Sequence, residues 1–138
     1  MKSGTTPAKD ACFQCYHPPV FYRVSALIGN TAAAAGLERP QLMKLLQCIS
    51  CLYGILTVGV CFLIVRKFPL SDFSTLIAFG TACFLPRHIY MSAMHSNDTL
   101  SNLLVALAIY VAIVVIERGF RALDAGVLSA ILTIAQFT

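Results

Sequence analysis

Tryptophan is absent from this 138-residue chain, and charge is scarce: Asp, Glu, Lys and Arg together make up 12% of it, against about 25% in soluble domains. So little polar surface cannot cover a globule of this size against water, which excludes an ordinary soluble domain. Any aromatic belt at a membrane boundary must come from the 5 Tyr and 9 Phe. Acidic residues are scarcest, 6 against 10 basic ones, for a formal net charge of +4. That excess is too small and scattered to follow a phosphate backbone, so nucleic-acid binding is not expected. The opening "MKSGTTPAKDACFQC" has no apolar core after its lysine and does not read as a secretory signal peptide. The expectation is a chain inserted through later segments, or a piece of a longer protein.

What the chain has in excess is apolar residues, 58% against about 45–50%, with a mean hydropathy of +0.78. The expected fold is all-α and integral to a membrane: a polytopic helical bundle of three to four membrane helices plus a membrane-boundary helix. Residues 1–11 form a polar tail and 12–138 the membrane domain. The first clear span is 42–65, with Lys44 its one charge and Arg66-Lys67 closing it. Segment 73–94 is a second, broken at Pro86; 100–116 is a third; 126–138 is an incomplete fourth, short of the ~20 residues a crossing needs. Segment 21–35 is also too short to cross and reads as the boundary helix, with Gly36 as its stop, Pro40 opening the next helix, and Ser71 or Asp72 as an N-cap.

If 73–94 crosses the bilayer, the connectors "RK" (66–67) and "ERGFR" (117–121) share one face, cytoplasmic by their positive charge. The opening stretch and "RHIYMSAMHSND" then share the other. Ionisable groups near membrane depth are costly unless they serve a site, so His17, Arg23, Arg87, His88, His95 and Asp98 are expected to converge in one outer-face pocket.

The stretch "CFQCYHPPVFYR" (12–23) draws attention first. With "CISC" (48–51) it offers two Cys-x-x-Cys pairs, a zinc pattern when both lie in turns. The second pair lies inside an apolar helical run, where cysteine packs as a small apolar side chain, so no metal site is expected. A disulfide between Cys12 and Cys15 stays open. Pro18-Pro19 forbids a helix before it and fixes an extended segment; His17 is either part of a rigid helix entry or a side chain held at a pocket rim. Asn97, Asp98 or Thr99 can each cap the helix that follows, so Asp98 is a cap or an acid of a site. Arg87 either snorkels to head groups or holds a lipid phosphate through two hydrogen bonds.

In series these stretches are more specific than singly. "CFQCYHPPVFYRVSALI" resembles the C-x-x-C-x-x-P-P-aromatic segment of membrane glycosyltransferases of the GT-C class, the group of protein O-mannosyltransferases, lipid A aminoarabinose transferases and the RgtA/B/C/D-like family. "RPQLMKLLQCISCLYGILTVGVCFLIVRK" is similar to the span that follows it there. "FLPRHIYMSAMHSNDTLSNLLVALAIY" is similar to the family's proline-broken helix with an acidic residue before the next span. "GVLSAILTIAQFT" resembles the start of a later helix, with Gln136 where that pattern has lysine.

The resemblance implies transfer of a sugar from a polyprenyl-phosphate donor to an acceptor on the outer or lumenal face. The membrane would be a prokaryotic plasma membrane or the endoplasmic reticulum. The donor is a co-substrate; whether transfer also needs a divalent metal stays open. Membrane lipid and the remainder of a full-length enzyme would be the partners. Carried residue by residue, Asp98 takes the acidic position, His17, Pro18, Pro19 and Tyr22 line the pocket, Arg87 faces the phosphate, and His95 and Asn97 flank Asp98 as further substrate-binding candidates. The family's main acid lies in an outer loop well upstream of the proline pair, where this chain has only Asp10. The sequence therefore reads as a fragment, inactive alone. The alternative is a non-catalytic small membrane protein or transporter fragment, since broken helices with polar residues at membrane depth also occur in transporters.

Overall fold

The computed structural model describes residues 19–138. Among them are six helices and no strand: α1 (Pro19–Ala34), α2 (Arg39–Val65), α3 (Asp72–Cys83), α4 (Pro86–Ala93), α5 (Asn97–Arg118) and α6 (Ala122–Gln136). Two of them, α2 and α5, are long and apolar enough to cross a bilayer, at about 40 and 33 Å. The other helices fall short of that length: α3 and α4 are separate, about 18 and 12 Å long, and α6 has 15 residues.

Local chemistry sets the boundaries. α1 ends at Gly36, whose φ of +88° is a left-handed conformation that glycine adopts without strain. Pro40 stands in the first turn of α2, where its missing N–H has no helical partner to lose. The Ser71 side chain accepts a hydrogen bond from the Ser74 amide at 3.2 Å and caps α3. Pro86 opens α4 after the extended Leu85, as expected of a residue held out of the helical region by a following proline.

α2 and α5 pack side by side and run in the same direction, because α3 and α4 together carry the chain back. Lys67 Nζ meets Glu117 Oε2 at 2.7 Å where both helices finish, so the connectors after α2 and α5 lie at one end. At the other end α6 returns antiparallel to α5. There the Val20 amide donates to the Phe137 carbonyl at 3.0 Å and Asn97 Nδ2 to the Thr138 carbonyl at 3.4 Å.

The interior combines small and hydroxylated residues with the large side chains of Phe21, Leu46 and Leu103. Ser50 is fully buried, and Thr57, Thr99, Ala106 and Ala108 are nearly so. Many other large apolar side chains point outward: Phe73 is 72% exposed, Ile116 and Leu123 82%. Among the glycines of the described residues the tightest surroundings are at Gly54 of α2, where an added Cβ would stand 2.7 Å from the Ser92 Cβ of α4. The absence of a side chain there lets α4 lie directly on the α2 backbone. His88 Nε2 then donates to the Gly54 carbonyl at 3.2 Å, and Cys51 Sγ to the Ser92 carbonyl at 3.2 Å. The carbonyl can only accept, so Nε2 carries the proton of the His88 ring.

Candidate functional site

The break between α3 and α4 opens a groove of about 550 Å³ against α2 and α5. Its polar lining is Thr57 from α2, Arg87 and His88 from α4, and Asp98, Ser101 and Asn102 from α5. Arg87 reaches it because Pro86 starts a new helix at that point. Asp98, Ser101 and Asn102 reach it because positions i, i+3 and i+4 share one face of a helix.

Asp98 is in the first turn of α5 but is not its cap. Ser96 holds that position, its Oγ accepting the Asp98 amide at 3.2 Å. Thr99 turns inward and donates to the Ser96 carbonyl at 2.7 Å. Neither Asn97, Asp98 nor Thr99 therefore supplies the cap, and the carboxylate of Asp98 is left to the groove. An acid in a first turn is favoured by the helix dipole, which accounts for its stability there without a partner. Among the described residues neither Arg87 nor Asp98 enters an ion pair. The groove thus sets a guanidinium and a carboxylate among hydroxyl and amide groups.

The expected convergence of all the ionisable groups is only partly realised. Arg87, His88 and Asp98 share the groove. His95 is instead on the reverse side of the α4–α5 connector, its Nδ1 3.3 Å from Ser50 Oγ and its ring 4.8 Å from that of Phe21. Burial pushes the His95 pKa below the usual imidazole range, opposed by a hydrogen bond to the Leu46 backbone. Ser50 and His95 resemble a nucleophile–base pair, but Ser50 has no exposed surface, so the contact is a joint between elements. Asn97 is engaged with Thr138. Tyr22 is exposed, with its ring edge-on to Phe21 at 5.6 Å, and Arg23 is exposed on α1. Pro19 begins α1, while Cys12, Cys15, His17 and Pro18 lie outside the described residues.

Sequence reading missed Ser101 and Asn102, although their helical spacing from Asp98 was available as a signal. It also gave His88 no separate role. Among the described residues no three His, Cys, Asp or Glu side chains gather to hold a metal ion. The chain matches no family model, no curated protein and no solved structure.

Proposed function

We propose that this chain is an integral-membrane bundle, with α3–α4 and α6 completing three to four membrane-embedded passes, and that its groove serves sugar transfer from a polyprenyl-phosphate donor. The observation that carries the reading is the placement of Arg87 and Asp98 in one groove at the helix break. In the transfer, Asp98 accepts the proton of an acceptor hydroxyl, whose oxygen bonds to the anomeric carbon. The bond from that carbon to the phosphate oxygen breaks, and the lipid phosphate leaves with the electron pair, held by Arg87. The groove face is the outer or lumenal one.

The membrane part of the reading is supported by the inverted burial pattern. Only 17% and 22% of the most apolar windows of α2 and α5 are buried, unlike core helices of a soluble protein, and their contacts use small residues, as helix pairs in lipid do. The resemblance of the Pro86–Asp98 stretch to a glycosyltransferase segment supports the sugar-transfer part.

A photoactivatable polyprenyl-phosphate sugar, added to membranes that hold the chain, tests the reading. Labelling of groove residues is expected, falling about tenfold or more in Arg87→Ala, the scale of a lost hydrogen bond between charged groups. Asp98→Asn should keep the labelling and, in membranes competent for transfer, lose the transfer. Equal labelling by a polyprenol without phosphate would overturn the proposal and leave a non-catalytic membrane bundle.

A further inference from the structure

The opposite end of the bundle carries a second chemistry. The Lys67–Glu117 pair draws together the connector after α2 and the connector after α5. Around that pair stand Arg66, the C-terminal cap of α2, Arg118, in the last turn of α5, and Arg121, just before α6. All three are exposed, and among the described residues none of them enters an ion pair. The acids at this end are otherwise occupied. Glu117 is taken by Lys67, Asp124 Oδ2 accepts the Arg121 backbone N–H at 3.2 Å, and Asp72 sits in the first turn of α3, where the helix dipole favours it.

Interleaved with the arginines are three aromatic side chains turned outward: Phe68, 52% exposed, Phe73, 72%, and Phe120, 74%. A water-facing surface has no use for such rings. A bilayer boundary has, because rings enter the acyl region while the longer cationic side chains reach the head groups. Arginine suits that boundary better than lysine, since its planar fork bonds a phosphate through two N–H groups and is more weakly hydrated.

We propose that this end is a binding surface for anionic phospholipids. The guanidinium groups of Arg66, Arg118 and Arg121 hold head-group phosphates, and Phe68, Phe73 and Phe120 lie among the adjoining acyl chains. The inference rests on the membrane reading but not on sugar transfer. The surface is about 30 Å from Asp98 along α5, so either can fail alone.

Because the chain has no tryptophan, Phe120→Trp supplies a single fluorescent reporter within the surface. The full chain carrying it is reconstituted in phosphatidylcholine vesicles with a minor fraction of phosphatidylglycerol, with either lipid brominated as quencher. Brominated phosphatidylglycerol is expected to quench several-fold more per molecule than brominated phosphatidylcholine, with the preference fading as salt is raised. Each Arg→Gln change should lower the preference about fivefold at most, the weight of one basic side chain near an anionic surface. Arg66→Gln/Arg118→Gln/Arg121→Gln should bring the two lipids to parity while helix content by circular dichroism stays unchanged. Equal quenching in the arginine-bearing chain, or a preference that survives the triple change, would overturn the proposal. Absence of quenching by either lipid would overturn the membrane reading with it.

Discussion

At Gly54 a single missing side chain sets the position of a whole helix. A valine there would drive its methyl groups into Ser92 and lift His88 from the Gly54 carbonyl, an overpacking that costs about 1–3 kcal/mol. Gly54→Val should therefore lower the thermal midpoint in detergent, whereas Gly59→Val, which meets nothing within 4 Å, should leave it nearly unchanged. His95 provides a second test at this scale. Its folded-state pKa is depressed, so between that value and the unfolded one the unfolded chain binds more protons and stability rises with pH. Stability should be level above the ordinary value of 6.5 and fall as pH drops through the folded-state value. Unfolding followed across that window in the unsubstituted chain and in His95→Gln should show the slope only in the former. Neither feature was legible beforehand. A lone Gly in an apolar run does not announce which neighbour lies against it. His95 and Asp98, three positions apart, differ in side only once Ser96 is known to start α5.

Helix boundaries were the most legible elements, because proline and glycine act locally. Gly36, Pro40, Ser71 and Pro86 each do in the structure what their conformational limits imply. Partners were less so, since contacts such as Cys51 to Ser92 depend on how far α4 turns back after the break. Two causes hold that bend: Pro86, which keeps Leu85 extended, and the bonds of α4 to α2. Pro86→Ala removes only the first, so spin labels on α3 and α4 should report an unchanged distance. Pro86→Ala/Gly54→Val removes both, and the distance should lengthen toward that of one continuous helix of about 33 Å. A lengthening in Pro86→Ala alone would show that the bonds to α2 do not hold α4.

For the whole molecule, the sequence made the helical class and its apolar character plain, because both follow from composition and run length. The two clear spans, 42–65 and 100–116, fall in the two helices long and apolar enough to cross a bilayer, whereas 73–94 is divided between the shorter α3 and α4. The parallel run of α2 and α5 predicts that single cysteines replacing Arg66 and Gly119, in a background freed of the native cysteines, react with an impermeant reagent from the same side of sealed vesicles. A cysteine at Met94 should react from the other side. Opposite labelling of Arg66→Cys and Gly119→Cys would break the topology. The joint between Ser50 and His95 also imposes an order in time. The two residues are 45 positions apart, so while the chain is being made α2 must wait with its hydroxyl-bearing face uncovered. In that interval Ser50 can turn back on the carbonyl four residues earlier. Assembly of the bundle is thus a late event, completed only when the start of α5 arrives to cover a helix already in place.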